Sequence, residues 1–295
     1  MHEHSYQEDK KFTLKLPDRE RLIRIWQADH TELIIIGIHG GMSHSGDYET
    51  VGSYFKPHGV TTISFDLHGH GEKKLIDIPS FQVFIDDVMQ MLDWIRTEYP
   101  KTPLFIVGHS MGALIATHLV LSNQLIPYAV SGVVLSSPYY ANAIPVPPWM
   151  VPLSGWLAKL FPTAKVPMED LTRWLTHDRE ITERHIADAL LQRRGSDASM
   201  RFGRSLLDAQ AALHDDLSRW NLPVFAVVAG DDRLANAVVS TRLLKTIPSA
   251  LLELQTFAHN YHENFNELNR NEIFASILRW MGSVQQGQAA GGATG

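Results

Sequence analysis

Short apolar runs alternate with longer segments of helical periodicity along most of this chain. Two early runs, residues 12–16 and 22–26, alternate apolar with polar side chains and predict an antiparallel hairpin. Six later runs are continuously apolar and short enough to be strands buried on both faces. They are residues 33–38, 60–65, 104–107, 130–135, 224–229 and 251–254. This order predicts an α/β fold, with a mostly parallel eight-stranded sheet covered by helices on both faces.

Two segments between those runs carry apolar side chains at helical spacing. The first spans residues 81–95 and the second spans residues 273–281. A stripe with this period marks the face of a helix that packs against a core. We therefore expect both segments to be helices that cover the sheet.

Residues 139–219 interrupt this alternation, because no strand-like run occurs among them. The segment begins with an apolar, proline-rich stretch and continues at helical spacing, so we interpret it as a helical cap. Insertions at the carboxyl edge of a parallel sheet surround the ligand crevice. The predicted core is then residues 1–138 and 220–283. The tail, residues 284–295, is rich in Gly, Ala and Gln, and we expect it to be disordered.

Charge and cysteine content exclude several classes of partner and chemistry. Lysine and arginine number 26 against 32 aspartate and glutamate residues, a net charge of −6 that does not favour nucleic acid. The absence of cysteine excludes disulfides, a thiolate nucleophile and cysteine-ligated zinc. Residues 1–11 are polar, and no run reaches the roughly 20 apolar residues of a membrane span. We expect a cytoplasmic protein that can lie at the membrane periphery, with no cofactor.

The pentapeptide Gly108-His109-Ser110-Met111-Gly112 carries the strongest chemical signal. It lies between an apolar strand-like run and a helix-like segment, so the serine stands at the apex of a tight strand-to-helix turn. Flanking glycines remove side chains that would collide there, and the serine hydroxyl can point out of the sheet. We interpret this turn as a nucleophile elbow.

A serine hydroxyl at neutral pH needs a base, and the base needs a third group to orient it. In hydrolase sheets with such an elbow the chain order is serine, acid, histidine. Asp231 and Asp232 follow the predicted strand 224–229, and His259 and His262 follow the last strand. All four lie at the sheet edge that carries Ser110. Spacing alone leaves both the acid and the base open between neighbours.

An oxyanion hole completes this chemistry, because backbone N–H groups must stabilise the negative oxygen of the tetrahedral intermediate. One donor is expected at Met111, directly after the nucleophile. The other is expected in the turn after the strand 33–38, where Gly40 and Gly41 stand. Two glycines allow this backbone to approach a substrate closely, and Gly41 is the favoured donor.

The remaining histidines give no further site. Among the fifteen histidines, no pair has metal-ligand spacing with a nearby carboxylate, so we expect no metal site. Asp66 and His68 are interpreted as structural turn residues. Seven histidines have no supporting context and are interpreted as solvated or packing residues. They are His2, His4, His30, His58, His177, His185 and His214.

From about Phe12 to Met281 the chain resembles the serine hydrolases of the α/β-hydrolase fold. The resemblance is to the monoacylglycerol lipase and lysophospholipase branch, which is serine aminopeptidase S33-like. Five segments carry it jointly. They are His39-Gly40-Gly41 with Ser45-Gly46-Asp47-Tyr48, Asp66-Leu67-His68-Gly69-His70-Gly71, Gly108-His109-Ser110-Met111-Gly112, Asp232-Arg233-Leu234, and Tyr261-His262-Glu263 with Phe265-Asn266-Glu267.

This resemblance implies hydrolysis of a carboxylic ester of a single-chain lipid, with a helical cap over an acyl tunnel. Carried over residue by residue, it implies Ser110 as nucleophile, Asp232 as acid and His262 as base. Gly41 and Met111 match the family's oxyanion donors. A small ester substrate is the expected partner.

Three other functions fit the same motifs. A short- or medium-chain carboxylesterase would use the same groups with a shorter pocket. An amidase or peptidase is also compatible, because the triad does not distinguish an ester from an amide. The third alternative is a hydrolase-fold protein that binds a ligand without turnover.

Overall fold

The computed structural model describes residues 6–292, apart from residues 18, 72, 167 and 168. The N-terminal His2 and His4 lie outside the described residues. Eleven strands are present in this part of the chain. They are β1 (Lys10–Lys15), β2 (Glu20–Trp26), β3 (Leu33–Ile38), β4 (Val60–Phe65), β5 (Leu75–Ile76), β6 (Leu104–His109), β7 (Val130–Ser136), β8 (Lys165–Val166), β9 (Asp197–Ser199), β10 (Val224–Ala229) and β11 (Leu252–Phe257).

Eight α-helices connect these strands in the described part of the chain. The two predicted from apolar stripes are confirmed as α2 and α8. The helices are α1 (Glu49–Phe55), α2 (Gln82–Glu98), α3 (Met111–Leu121), α4 (Met150–Leu160), α5 (Arg179–Leu190), α6 (Met200–Ala211), α7 (Ala237–Leu244) and α8 (Arg270–Gly292).

Eight strands form the central sheet in the order β1-β2-β4-β3-β6-β7-β10-β11, which confirms the predicted fold class. The predicted hairpin is present, since β1 pairs with β2 in antiparallel register, and β2 is antiparallel to β4 as well. The other neighbours are parallel. Parallel neighbours need crossover connections, and helices supply them.

The continuous apolar character of the central strands follows from burial on both faces. In β3, Ile34 and Ile36 belong to one hydrophobic cluster, whereas Ile35 belongs to the other. Helices α2, α3 and α7 contribute to the first cluster, and α1 and α8 contribute to the second. Successive strand side chains point to opposite faces, so a strand covered by helices on both sides has no polar face.

The parallel register brings several strand ends to one edge of the sheet. Ile38 at the end of β3 pairs with Gly108 of β6, and Ala229 of β10 pairs with Phe257 of β11. The segments that follow these four strands therefore emerge at the same carboxyl edge. This edge is where ligands bind in open α/β sheets.

The segment between β7 and β10 contains α4, α5 and α6, and it also contains two strands that the sequence did not predict. β9 pairs in parallel with β5, which follows β4, and in antiparallel with β8. These strands have two and three residues. So short an element carries no measurable alternation, and β8 begins with the exposed Lys165. The small sheet ties the segment to the loop after β4.

The predicted disordered tail differs from the structure, because α8 continues through residue 284 to Gly292. Residues 293–295 lie outside the described residues. Gln and Ala are good helix formers, and the buried face at Ile273 and Met281 anchors the preceding turns. Gln288 also donates a hydrogen bond to the carbonyl of Ser131, at 3.2 Å. A low apolar content therefore did not imply disorder here.

Large exposed apolar side chains are concentrated in the segment between β7 and β10. Trp149 is 68% exposed and Trp156 is 61% exposed. Ile144, Leu160 and Phe161 are also exposed in this segment. No helix in the described parts of the chain combines the length and the apolar character needed to cross a bilayer.

Candidate active site

Ser110 occupies the turn between β6 and α3 with a strained backbone, at φ 55° and ψ −116°. Positive φ is costly for a residue with a side chain, and such strain concentrates at functional positions. Close approach explains the glycines beside it. A Cβ on Gly108 would lie 2.6 Å from the carbonyl oxygen of Gly112, and one on Gly112 would lie 2.0 Å from the carbonyl oxygen of Ile38. The serine itself is 8% exposed.

The structure brings together three predicted side chains from separate strand ends. Ser110 Oγ lies 2.8 Å from His262 Nε2, and His262 Nδ1 lies 2.7 Å from Asp232 Oδ2. With Nδ1–H donating to the carboxylate, Nε2 accepts the serine hydroxyl proton. The arrangement can therefore move a proton from the serine onto an imidazole that an acid orients.

Asp232 and its neighbour Asp231 have different surroundings. Oδ1 of Asp232 accepts the backbone N–H groups of Leu234 and Ala235, at 2.8 and 2.9 Å, which leaves Oδ2 directed at His262. Asp231 instead pairs with Arg233 at 2.9 Å, and its side chain is 42% exposed. Only Asp232 contacts the imidazole.

The two candidate histidines also differ. His259 lies exposed in the turn after β11, whereas His262 is buried beside Ser110. Burial lowers the pKa of the His262 imidazole, but the charge and hydrogen bond of Asp232 outweigh that effect and raise the pKa above its ordinary value. The pKa of Asp232 responds to the same contact. Burial raises the pKa of this carboxyl group, but the neighbouring His262 lowers it by more, so the pKa lies below its ordinary value.

Gly40, Gly41 and Met111 lie around the serine, as the sequence predicted. A Cβ on Gly40 would be 3.2 Å from Ser110 Cβ, and one on Gly41 would be 3.8 Å from Met111 Sδ. All three line one cavity with Ser110. Met111 begins α3, so its N–H is one of the first four in the helix, which have no intrahelical acceptor.

A cavity of about 410 Å³ opens beside Ser110 and His262. The sheet edge supplies one side of it, and the segment between β7 and β10 supplies much of the other. This size is typical of pockets for small organic ligands. Its apolar lining includes Met42, Met111, Leu171, Leu175, Phe202 and Leu206.

His109, inside the pentapeptide, contacts the imidazole of His262 and had no role in the sequence analysis. The two ring centroids are 4.8 Å apart. Nδ1 of His109 lies 3.3 Å from the hydroxyl of Ser136. Burial, together with the neighbouring His262, lowers the pKa of His109 to about 4. His109 therefore packs against the base as a neutral ring at neutral pH.

A group of charged residues adjoins His262, and no local sequence pattern predicts it. Glu263 is buried, and its Oε2 lies 2.8 Å from His185 Nε2 and 2.8 Å from Asn266 Nδ2. Arg194 Nη2 lies 2.5 Å from Asp47 Oδ2. The interpretation of His185 as a solvated or packing residue was incomplete, because the helical pattern around it does not indicate partners that are distant in the sequence. The one sequence feature that could have indicated this charged group is that Asp47 and Glu263 both lie within motifs of the resemblance.

The residue before His262 is held from the same segment. His177 stacks on the ring of Tyr261, with centroids 3.7 Å apart, and Trp174 meets the same ring edge-on. His177 Nδ1 is 2.9 Å from Glu267 Oε1, which also accepts the N–H of Tyr261. His177 is therefore a packing residue, one of the two roles expected for it, although the sequence did not indicate its partners.

His44, Asp47 and Asp188 could together offer three ligand atoms to a metal ion. Each has protein partners instead. Tyr6 donates to Asp188 at 2.6 Å, His44 Nδ1 accepts the N–H of Gly46 at 3.0 Å, and Arg194 pairs with Asp47. The guanidinium supplies the positive charge that these carboxylates need. The residues therefore fit an internal ion-pair cluster better than a metal site.

Asp66 and His68 lie in the turn after β4, away from the cavity that contains Ser110. Asp66 Oδ1 accepts the N–H and the hydroxyl of Ser45, at 2.8 and 2.6 Å. The N–H of His68 donates to Asp87 at 2.6 Å. These contacts join the turn to its neighbours, in agreement with the structural interpretation.

Comparison with known proteins agrees with this architecture. Residues 29–269 match the family described as serine aminopeptidase, S33. The chain is 29% identical to phospholipase YtpA of Bacillus subtilis over 84% of this chain and 95% of that protein. It is 30% identical to monoglyceride lipase of Mus musculus over 88% of this chain and 85% of that protein.

A solved structure shows the fold independently. A soluble variant of monoglyceride lipase from Saccharomyces cerevisiae, in complex with a substrate analogue, gives a TM-score of 0.81 at 17% identity. The match covers 95% of this chain and 98% of that one. An eight-stranded sheet, a strained serine at the elbow and a match over most of the length lead to one conclusion. The chain belongs to the serine aminopeptidase S33 family of the α/β-hydrolase fold.

Proposed function

We propose that this chain is a serine hydrolase that cleaves carboxylic esters through an acyl-enzyme intermediate. The observation that carries the proposal is the hydrogen-bonded series from Asp232 through His262 to Ser110, with separations of 2.7 and 2.8 Å. Membership of the S33 family supports the same class of reaction. The reacting groups are protein side chains, backbone amides and water.

In the first half-reaction, Ser110 Oγ attacks the ester carbonyl while its proton moves to His262 Nε2. The carboxylate of Asp232 accepts Nδ1–H and stabilises the imidazolium that forms. The carbonyl oxygen becomes an oxyanion in the tetrahedral intermediate. Collapse of that intermediate breaks the bond to the alcohol oxygen, which leaves with the proton from His262.

The amides of Gly41 and Met111 are the proposed donors to the oxyanion. Their support is position, since both residues line the cavity around Ser110 and α3 begins at Met111. The positive end of the helix dipole points at the same place. Donors fixed before the reaction stabilise the transition state without reorganisation, and a single such donor contributes about 3 kcal/mol.

In the second half-reaction, His262 takes a proton from water as the water oxygen attacks the acyl carbonyl. The second tetrahedral intermediate collapses to the carboxylic acid and returns the proton to Ser110 Oγ. One ester and one water thereby give one acid and one alcohol. The same base serves both halves because it ends each half neutral.

The proposed substrate is a monoacylglycerol or a lysophospholipid. The apolar lining of the cavity suits an acyl chain, and Phe202 and Leu206 of α6 form part of that lining. Two similar proteins, a monoglyceride lipase and a phospholipase, have names that point to lipid esters. The proposed alternative is an ester with a short or medium acyl chain.

We treat residues 139–219 as a cap over the catalytic core, which comprises residues 1–138 and 220–283. Support comes from the cavity, because side chains from both parts line it. Leu175 from the cap and Ser110 from the core are examples. A cap of this kind excludes water and selects the acyl group.

A substrate panel that crosses acyl length with head group tests the proposal. Each methylene that enters the pocket contributes up to about 0.8 kcal/mol, or roughly fourfold in kcat/KM. Efficiency should rise through medium and long acyl chains on a glycerol or lysophospholipid head. A maximum at acetyl or butyryl would favour the short-chain alternative. Absence of ester turnover across the panel would contradict the proposed reaction.

We also propose that the cap contacts a membrane surface transiently, with the protein located in the cytoplasm. The exposed Trp149 and Trp156 support this contact, since indole rings favour the membrane interface. Replacing both tryptophans with serine should weaken co-sedimentation with phosphatidylcholine vesicles about tenfold. The matched control is Ile126→Ser, because Ile126 is 70% exposed outside the cap. Equal loss in both variants would contradict the contact.

A further inference from the structure

Both chain neighbours of His262 are held by the cap. Tyr261 stacks on His177, as described above, and the backbone N–H of Glu263 donates to the carbonyl of Leu175 at 2.8 Å. The side chain of Glu263 is directed at His185 of α5. The loop that carries the base is therefore packed against cap residues before and after the imidazole.

The second of these contacts belongs to a closed group of charges. Arg194, which lies between α5 and β9, places Nη2 at 2.9 Å from His185 Nδ1 and at 3.7 Å from Glu263 Oε1. It also pairs with Asp47, in the turn after β3. We call Arg194, His185, Asp47 and Glu263 the Arg194 cluster. Two of its members come from the cap and two come from the core.

The hydrogen bonds of the Arg194 cluster have a defined direction. The guanidinium can only donate, so His185 Nδ1 accepts from Arg194. His185 Nε2–H then donates to Glu263, at 2.8 Å. A positive charge on the cap is thus connected, through one imidazole, to the carboxylate next to the base.

The carboxylates of this cluster stay ionised although they are buried. Burial alone would raise the pKa of Glu263, but its contact with His185 and the charge of Arg194 hold that pKa well below its ordinary value. Burial would likewise raise the pKa of Asp47, and Arg194 is the strongest of the groups that lower it. A buried carboxylate without such a partner is strongly unfavourable.

Other titratable groups face this region from the neighbouring elements, so the pKa of His262 depends on several charges at once. Asp232 and Glu263 act directly on the imidazole, and both favour its charged form. Arg194 is 7% exposed and also lines the cavity beside Ser110. The remaining groups around the cluster are Tyr6, His44, Glu49, His109, Arg184 and Asp188.

We propose that Arg194 is a positioning residue for the base: its guanidinium neutralises Glu263 and so makes correct packing of the cap a condition for a fully active His262. The inference rests on the proposed hydrolase function. Displacement of the cap from the core removes Arg194 and His185 together. Glu263 then keeps only the neutral donor Asn266 and lies beside the imidazole as an anion without a positively charged partner.

The proposal predicts a change in the pH profile of kcat/KM. The acid limb of this profile, where activity falls as His262 becomes protonated, should shift. Loss of the Arg194 charge leaves the field of Glu263 uncompensated, which favours the imidazolium and raises the pKa of His262. Less neutral base is then present at a given pH, so the acid limb moves to higher pH. Loss of the Glu263 charge has the opposite sign.

Three variants test this balance of charge. Arg194→Met should move the acid limb to higher pH by roughly one unit. At a pH below the acid limbs of both proteins, the variant should then have about a tenth of the wild-type kcat/KM. Glu263→Gln should move the limb downward. The double variant should return it close to its wild-type position, whereas Arg194→Lys should leave it within about 0.3 units.

Arg201→Met is the matched control. Arg201 belongs to the cap and forms an ion pair with Asp77 of the core at 2.5 Å, but it does not line the cavity with Ser110. Its loss removes a contact between cap and core without changing the charge beside the base. Its acid limb should coincide with that of wild type.

Turnover of an ester and the rate of labelling of Ser110 by a fluorophosphonate should be followed across pH for every variant. Coincident acid limbs in Arg194→Met and Arg201→Met, or an unshifted limb in Glu263→Gln, would overturn the inference while wild-type activity upholds the hydrolase. If Arg194→Met does not fold, the Glu263→Gln and Arg194→Lys profiles still decide. A wild-type protein that neither turns over esters nor labels Ser110 would remove the proposed function and this inference with it.

Discussion

The carboxyl edge of the sheet and the cap contribute to one cavity by different physical means. At the sheet edge, Ser110 and Asp232 follow β6 and β10, whose apolar side chains are buried in two clusters, and His262 follows the partly exposed edge strand β11. The cap has the reverse arrangement, because it exposes Trp149 and Trp156 and buries the charge of Arg194. The proposed reacting groups thus come from the ends of paired strands, whereas part of the cavity lining and the Arg194 charge come from the segment between β7 and β10.

Substitutions in the two regions should therefore change different properties of the protein. Strand ends fixed by a paired sheet hold the triad atoms at hydrogen-bonding distance, so substitutions there should abolish the reaction. Cap contacts act on the pocket and on the electrostatic surroundings of the base. Substitutions there should alter efficiency, pH dependence or substrate choice, and leave a working nucleophile.

The largest expected effect lies at the sheet edge, in Ser110→Ala. Loss of the nucleophile should lower kcat by roughly 10⁴ to 10⁶, by comparison with other serine triads. Ser131→Ala is the control, since Ser131 lies at the amino end of β7, on the opposite edge of the sheet. Steady-state ester hydrolysis measures both. Activity within tenfold of wild type in Ser110→Ala would break the distinction between the two regions.

The second test separates two neighbouring acids. Asp232→Asn should lower kcat by about 10⁴, because the amide cannot stabilise the imidazolium and favours the wrong tautomer. Asp231→Asn removes only an exposed pair with Arg233 and should change kcat less than about threefold. Equal losses in the two variants, measured by the same hydrolysis assay, would contradict the assignment of the acid.

A stability measurement compares how tightly the two regions are packed around one glycine in each. Gly112→Ala places a Cβ about 2.0 Å from the carbonyl oxygen of Ile38, so the free energy of unfolding should fall by about 1–3 kcal/mol. Gly203→Ala lies in α6 of the cap, where the nearest atom is 3.9 Å away, and should stabilise the protein by about 0.5–1 kcal/mol. Urea unfolding gives both values. Equal destabilisation would show that the cap is packed as tightly as the elbow.

The smallest effect concerns pH. The base must be neutral to accept the serine proton, so kcat/KM should fall about tenfold for each unit of pH below the pKa of His262. Burial lowers that pKa and Asp232 raises it, with a net increase, so the acid limb should lie above the ordinary value of 6.5. In Asp232→Asn the remaining activity should show an acid limb below 6.5. A wild-type limb well below that value would contradict the electrostatic account.

The sequence indicated where the candidate side chains at the sheet edge would lie, because the signals for them are local. A glycine-flanked serine after an apolar strand, and acids and histidines after later strands, each depend on a few adjacent residues. The resemblance to the lipase family was needed to choose Asp232 over Asp231 and His262 over His259. Spacing alone does not distinguish candidates that lie in the same loop. The structure supplies the distances that distinguish them.

The proposed cap, the C-terminal end of α8 and the Arg194 cluster were not predicted in detail, for three physical reasons. β8 and β9 are too short to show alternation. The α8 extension depends on anchoring by the preceding buried turns and not on its own composition. The Arg194 cluster joins residues about 150 and 70 positions apart along the chain, so no local pattern could indicate it.

Peptide mass spectrometry of a fluorophosphonate adduct identifies the nucleophile without reference to any substrate. We expect one covalent adduct on Ser110, formed quickly in wild type and absent from Ser110→Ala, with slow formation in His262→Ala. An adduct on a different residue, or ester hydrolysis by a protein whose Ser110 stays unmodified, would contradict this expectation.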